Sequence, residues 1–176
     1  MINEVTLRPK PQNSNARVAF GISLAVAFIA FTVYFFVDRF KGIIGLFGLL
    51  ALVTAILFYT KYLSVSFCYD VMNVPTGETL FVVRQITGKR ETTLSRINIA
   101  SITSVVREER EVTRAHKTPA GYLKFVYAPT LFPKVVYRIT SVSRYEKAEI
   151  IIECNDEFAS YLESSAIKAR ENSIEE

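Results

Sequence analysis

Two long uncharged runs dominate the first third of the chain. Residues 18–37 contain no charged side chain, and neither do residues 42–60. A helix rises about 1.5 Å per residue, so each run is long enough for the roughly 30 Å hydrocarbon core of a bilayer. The pattern predicts two transmembrane helices. The connection at residues 38–41 is too short for a domain and predicts an antiparallel hairpin, with both flanking segments on the same side of the membrane.

Charge around these runs indicates an orientation. A signal peptide is the alternative for the first run, but the run is too long and no small-residue cleavage site follows it. Four basic residues flank the hairpin on the terminal side and two lie in its connecting loop, which favours cytoplasmic termini. The terminal set is Arg8, Lys10, Arg17 and Lys61, and the loop set is Arg39 and Lys41.

These patterns predict a multi-pass protein of the cell membrane with its soluble domain in the cytoplasm. Residues 1–17 form an N-terminal cytoplasmic segment, 18–62 the transmembrane hairpin, 63–170 the soluble domain and 171–176 a polar tail. The bilayer is the first expected partner.

Small residues recur at helical spacing within both runs. They are Gly21 and Ala25 in the first run, and Gly48, Ala51 and Ala55 in the second. Such faces let helix backbones approach closely, either within the hairpin or between two copies in a homodimer. Neither run carries an ionisable side chain, which a proton path or transport site normally needs. We therefore interpret the hairpin as an anchor.

From residue 63 the hydrophobic period changes from helical to alternating. Apolar residues alternate with polar ones through 63–71, as expected of a half-buried strand. Asn155 then provides a helix N-cap, and Phe158, Leu162 and Ala166 follow on one helical face. Turn residues separate the further strands. The predicted strands are residues 63–71, 79–87, 91–95, 102–112, 122–127, 135–144 and 148–154.

The predicted fold is a membrane α-helical hairpin followed by an α+β domain. About seven antiparallel strands form a bent sheet or open barrel, and the C-terminal helix caps its mouth. The strand order, the domain size and the closing segment at residues 148–158 resemble bacterial PH-like domain membrane proteins, many of which carry one or two N-terminal membrane helices. The resemblance spans about residues 63–169 and the anchor. Some relatives resemble immunity proteins against antimicrobial peptides.

Net charge argues against nucleic acid as a partner. The chain carries +4, but this excess lies entirely within residues 1–62, and the rest holds equal numbers of acidic and basic side chains. A nucleic-acid-binding domain needs a concentrated basic face. Basic residues that flank apolar helices instead suit lipid head groups.

Few residues offer catalytic or metal-binding chemistry. His116, the only histidine, lies in a basic loop and is expected to be exposed to solvent. Cys68 and Cys154 lie in strand patterns, and with one histidine they do not form a metal-site spacing. Cys154 precedes a helix start, which leaves redox sensing as an alternative to a core thiol. We predict no enzyme activity, no metal and no cofactor.

Two surfaces remain as candidates for contacts. Eukaryotic PH domains often hold phosphoinositides with basic residues around the first hairpin, but here residues 70–78 contain two acids and no Lys or Arg. A nonspecific contact with anionic membrane is predicted for Lys89, Arg90, Arg114, Lys117 and Lys124. Arg107, Glu109 and Glu111 are the candidate partner surface, although a solvated edge strand protected from aggregation by its charge is the simpler explanation of these alternating charges.

The leading functional hypothesis is a non-catalytic interaction module that presents a PH-like domain at the membrane to a protein or peptide partner. The exposed sheet edges and residues 113–133 are the candidate surfaces. The alternatives are an immunity protein against an antimicrobial peptide and a scaffold with weak contacts to anionic lipid.

Overall fold

The computed structural model describes residues 4–9, 13–38, 40–75, 77–109, 113, 116–143 and 146–172. Two compact units make up the chain: residues 12–65 form one, and residues 1–11 together with 66–176 form the other. Four residues named above, Lys10, Arg39, Glu111 and Arg114, lie outside the described residues, as does most of the polar tail.

The smaller unit is a pair of helices. Helix α1 spans Ser14–Phe36 and helix α2 spans Lys41–Phe58, and a π-helical turn at Tyr59–Leu63 continues α2. Both helices are long enough and apolar enough to cross a membrane. Their large apolar side chains face outward, and Phe28 is 74% exposed. Helix α1 begins at Ser14, four residues before the predicted run. Its first turn therefore includes Arg17, the charged residue that marks the start of the run.

Small residues bring the two helices together. Ala27 on α1 and Ala55 on α2 are buried. A Cβ atom added at Gly48 would lie 3.2 Å from the Cβ of Ala30, so a larger residue there would push the helices apart. Gly21 and Ala25, in contrast, are exposed. The small residues of α2 therefore pack within the hairpin.

The larger unit contains two four-stranded sheets. The first, sheet A, has the order β1-β2-β3-β4, and the second, sheet B, has the order β5-β7-β8-β6. The strands of sheet A are β1 Val5–Leu7, β2 Val65–Asn73, β3 Thr79–Thr87 and β4 Arg90–Asn98, and those of sheet B are β5 Ile102–Glu109, β6 Leu123–Val126, β7 Val135–Val142 and β8 Lys147–Ile152.

Strand β1 lies in the segment that the sequence pattern left without structure. It precedes both helices, yet it pairs antiparallel with β2, which follows them, and Val5 lies opposite Val71. Val5 and Leu7 pack against the core of this unit. The domain is therefore discontinuous in sequence, and the helical hairpin is inserted between its first two strands.

The prediction of an all-antiparallel sheet is wrong for β6. This strand runs parallel to β8, with Phe125 opposite Ile150. The chain passes from β6 to β7 through residues 127–134, but β7 pairs with β8 and not with β6. Strand β6 therefore lies at the edge of sheet B, beside β8. A parallel neighbour requires a crossover, and the chain between β6 and β8 provides it through β7. The sheets do not close into a barrel.

Several strand ends also differ from the prediction. Strand β4 continues to Asn98, three residues beyond the predicted end, and pairs with β3 on both sides of a register shift at Leu94. Strand β8 ends at Ile152, two residues before its predicted end. Strand β5 is described over Ile102–Glu109, and its predicted end at residues 110–112 lies outside the described residues. The position at which a strand ends depends on the neighbouring strand more than on the local sequence pattern.

The predicted C-terminal helix is confirmed. Helix α3 spans Asp156–Asn172, and the Oδ1 atom of Asn155 accepts a hydrogen bond from the backbone N–H of Phe158 at 3.2 Å. The ring of Phe158 lies 6.4 Å from the rings of both Tyr69 and Phe81. Burial of an aromatic side chain of this size contributes about 1.5–3 kcal/mol. The rings of Tyr69 and Phe81 both belong to sheet A, and the helix residues Phe158 and Leu162 share one core cluster with Ile139 and Ile150 of sheet B.

Candidate binding cleft and buried ionic clusters

A cleft of about 350 Å³ opens between the two sheets of the larger unit. One wall is β4, the last strand of sheet A. The floor is the inner face of sheet B. Its lining consists of Leu94, Ser95, Arg96, Ile97, Asn98, Ser101, Phe125, Tyr127, Ser141, Ser143, Glu146, Ala148 and Ile150. Its size falls in the range of ordinary ligand pockets.

Aromatic stacking builds one side of the floor. The rings of Phe125 and Tyr127 stack with centroids 6.0 Å apart and planes 9° apart. The Tyr127 backbone is fixed at both ends: its N–H donates to the Ile151 carbonyl at 2.8 Å, and its carbonyl accepts from the Tyr69 hydroxyl at 2.7 Å. Burial raises the pKa of Tyr127, and a hydrogen bond with Ser95 acts in the opposite direction. The phenol therefore stays neutral at physiological pH.

Hydroxyl groups line the opposite side of the cleft. The Oγ atoms of Ser101 and Ser141 lie 2.8 Å apart and share a hydrogen bond. At the rim, the Ser143 hydroxyl accepts from the Glu146 backbone N–H at 3.1 Å. The apolar floor and the hydroxyl-lined side together suit a ligand that carries apolar groups on one side and polar groups on the other.

A buried ionic cluster lies on the opposite, outer face of sheet B. Arg138 on β7 donates to Glu108 at 2.6 Å and to Glu149 at 3.5 Å, and all three side chains are buried. The prediction of a solvated edge strand at residues 107–111 is therefore wrong for Glu108. The alternation of side chains along β5 places Glu108 on this outer face, where it is buried. A buried charge must be paired, and Arg138 is placed between two carboxylates.

His116 belongs to the same cluster, so its predicted exposure to solvent is wrong. Its Nε2 atom lies 3.1 Å from Oε1 of Glu149, and its side chain is about one-third exposed. The Thr113 hydroxyl donates to Glu108 at 3.1 Å. No described hydroxyl or thiol hydrogen bonds to His116, whereas a catalytic base needs a substrate or nucleophile within that reach. The described part of the β5–β6 connection is held on the sheet by these contacts.

A second ionic cluster lies on the outer face of sheet A. Asp70 is buried, and it accepts from Arg84 at 2.6 Å and from Thr6 at 2.7 Å. Burial raises the pKa of Asp70, but the hydrogen bonds from Arg84 and Thr6 outweigh it and hold the pKa below its ordinary value. Arg84 also pairs with Glu91 at 2.9 Å. One of the two acids of the first hairpin is therefore part of the sheet rather than of a ligand site.

Both cysteines are unsuited to redox chemistry. The Cys68 thiol is buried beside Asp70, at 3.5 Å from Oδ1, and burial raises its pKa. Cys154 packs against the core, where burial together with the charges of Asp156 and Glu153 raises its pKa to about 12. A reactive cysteine needs a lowered pKa.

The predicted basic residues are dispersed over both sheets. Lys89 and Arg90 lie at the exposed turn between β3 and β4, whereas Lys117 lies in the β5–β6 connection and Lys124 on β6. None of the four lines the cleft.

The predicted partner surface lies on β5, at the edge of sheet B opposite β6. Arg107 and Glu109 are exposed on β5, and Arg107 lies 3.5 Å from Asp156 at the start of α3. Sheet order places β5 at the opposite edge from β6, whose Phe125 lines the cleft. The cleft and this surface are therefore separate candidates.

Comparison with known proteins does not assign the chain to a family. No protein-family model, curated protein or solved structure matches it. Among the described residues, no group of three or more His, Cys, Asp or Glu is placed to hold a metal ion.

The cleft residues escaped the sequence pattern. Residues 94–98 show no clean alternation, and only the sheet-to-sheet arrangement brings them opposite Phe125 and Tyr127. A partial signal was present in residues 113–133, which were predicted as a candidate surface and which contribute both aromatic rings.

Proposed function

We propose that this chain is a membrane-anchored, non-catalytic interaction module. Helices α1 and α2 cross the bilayer as a hairpin, and the β domain presents its cleft to a protein or peptide partner beside the membrane. The observation that carries the proposal is the open cleft between the two sheets, with its aromatic floor and hydroxyl-lined side.

Exposed apolar surface supports the anchor. Along α1 and α2, bulky side chains such as Phe28, Phe35 and Leu46 are more than half exposed. Apolar surface on this scale is rare on soluble proteins and marks contact with lipid or protein. Continuous helices also satisfy their own backbone hydrogen bonds, as a membrane-spanning segment must.

Pairing of β1 with β2 supports a fixed topology. If the hairpin crosses the bilayer twice, its two ends emerge on one side, and β1 and β2 are then available to form one sheet. The four-to-two excess of basic residues at this end favours the cytoplasm. We therefore assign the β domain to the cytoplasmic side of the membrane.

The architecture supports a PH-like relationship for the β domain. The support is two four-stranded sheets and a C-terminal helix, while β1 and the parallel strand β6 depart from the predicted arrangement. The role proposed here depends on the cleft and not on that relationship.

Site-specific photo-crosslinking in living cells tests the proposal. A photo-reactive residue replaces Leu94, which is 38% exposed at the rim of the cleft, and in a second chain it replaces Val106, which is 47% exposed on β5. The cleft predicts a discrete protein or peptide adduct from position 94 only. The Leu94→Asp variant should then lose the identified partner, and Val106→Asp should retain it.

Three results would reject or redirect the proposal. Adducts with lipid alone from position 94 would favour the scaffold for anionic lipid. Adducts from position 106 alone would move the site to the β5 edge. No adduct from either position would remove the interaction role.

A further inference from the structure

The wall of the cleft follows the edge of a strand rather than one of its faces. Successive side chains of a β-strand point to opposite faces of the sheet. Yet all five consecutive residues at 94–98 of β4 line the cleft. The register with β3 shifts at Leu94, but Ser95–Asn98 are regularly paired and still include residues of both faces. A cavity that touches residues of both faces of a regular strand reaches the edge where their backbone groups lie. The cleft therefore borders the backbone of β4.

This edge of β4 has no strand beside it among the described residues. Its other side pairs with β3, from Arg90 opposite Thr87 to Asn98 opposite Leu80. Sheet order places β4 last in sheet A. A free edge presents a row of unpaired N–H and C=O groups, which is a template for another strand. The charged residues Arg90, Glu91 and Arg96 limit uncontrolled pairing without removing these groups.

The floor of the cleft, in contrast, is a single sheet face. On β8 and the turn before it, the lining residues are Glu146, Ala148 and Ile150, and on β6 and its end they are Phe125 and Tyr127. Alternate residues of a strand share one face. Every second side chain of a segment lying along β4 would point at this floor.

We propose that the partner enters the cleft as an extended peptide segment that pairs with the free edge of β4 and adds a fifth strand to sheet A. This inference rests on the function proposed above and specifies the form of its partner. Strand addition obtains affinity from main-chain hydrogen bonds and specificity from alternate side chains. The segment should carry apolar residues at every second position to meet Phe125, Ala148 and Ile150, with polar residues between them.

Peptide selection followed by backbone methylation tests this. The probe is a phage library of random peptides, each of about 12 residues, which is ample to pair with five residues of β4. Selection uses the full chain in lipid nanodiscs, and the Leu94→Asp variant serves for counter-selection. Selected peptides are then synthesised with one N-methyl group at each successive position. In a strand, only every second N–H points toward a given neighbour.

Strand addition predicts a two-residue alternation in this scan. Methylation at pairing positions should weaken binding by about tenfold or more, while the positions between should tolerate it. Hydrogen exchange should show slower exchange of backbone amides within residues 94–98 when the peptide is bound. The matched Val106→Asp variant should bind the peptide as the parent chain does.

The outcomes distinguish a failure of strand pairing from a failure of the proposed interaction role. Peptides that survive counter-selection but show no alternation, and no protection at β4, would reject strand pairing and leave the interaction role standing. A library that yields no peptide surviving counter-selection would reject both.

Discussion

The hydroxyl of Thr6 donates a hydrogen bond to the carboxylate of Asp70, with 2.7 Å between Oγ1 and Oδ1. Thr6 precedes the two apolar helices in the chain, and Asp70 follows them. This side-chain bond joins β1 to β2, in whose pairing these two residues are directly opposite. A buried carboxylate is costly to leave unsatisfied, so the N-terminal segment contributes to the domain and is not a free tail.

Labelling should place Glu4 and Lys89 on the same side of the membrane. Each position receives a single cysteine in a chain whose Cys68 and Cys154 are replaced by alanine. Because β1 and β2 share a sheet, a membrane-impermeant thiol reagent should treat both positions alike. The basic excess further predicts no labelling in intact cells and labelling of both after permeabilisation. Opposite behaviour of the two sites would contradict the β1–β2 pairing.

Phe158→Ala should destabilise the β domain by about 3–5 kcal/mol, because it removes a buried ring between two sheets. Ile167 on the same helix is 45% exposed, so Ile167→Ala should cost much less. Denaturant titration of the full chain in detergent, followed by the near-ultraviolet circular dichroism of its tyrosines, measures both. Equal midpoints for the two variants would show that the helix does not pack through Phe158.

Arg138→Ala should cost about 3–5 kcal/mol, because it removes the buried guanidinium that pairs with both Glu108 and Glu149. Arg107 pairs with Asp156 at an exposed position, and Arg107→Ala should cost at most about 1 kcal/mol. Replacing Arg138, Glu108 and Glu149 together with apolar residues should restore much of the loss. The same denaturant titration reports all three. A small effect of Arg138→Ala would mean that water reaches the cluster.

Cys154 should resist alkylation in the folded chain. Burial, with added repulsion from Asp156 and Glu153, raises its pKa from 9.0 to about 12, and only the thiolate is nucleophilic. At about pH 9 the folded chain should react with iodoacetamide far more slowly than the chain in guanidinium. Because the raised pKa stabilises the folded state only below the unfolded value, stability should fall as pH rises from 9.0 toward 12. The Cys154→Ala variant should show a weaker fall.

Binding to lipid head groups should be nonspecific and salt-sensitive. Lys89 and Arg90 lie at a turn of sheet A, whereas Lys124 lies on sheet B, so the structure provides no buried, convergent set of donors among them. Discrimination between head groups needs such donors. The chain in neutral nanodiscs should attract anionic vesicles in proportion to their total charge and release them at about 0.5 M salt. Selective, salt-resistant binding of one lipid would contradict this prediction.

Local signals in the sequence were sufficient for the elements that form by local rules. An uncharged run long enough for a bilayer predicts a helix whatever lies elsewhere, and α1 and α2 follow from it. Asn155 caps its helix through a contact three residues away, so the start of α3 was also predictable. The alternation at residues 63–71 likewise predicted most of β2.

Contacts between distant residues decided the rest. Strand β1 has three residues, too few for a period to show, and it exists because β2 lies 64 positions beyond it to accept the Thr6 bond. Charged residues are normally exposed, and Glu108 and Glu149 are buried only because folding brings Arg138 between them. The cleft belongs to neither sheet alone: β4 supplies an edge and β6 to β8 supply a face. Sequence periodicity reports which way a side chain points within one strand, but only tertiary structure determines what it meets there.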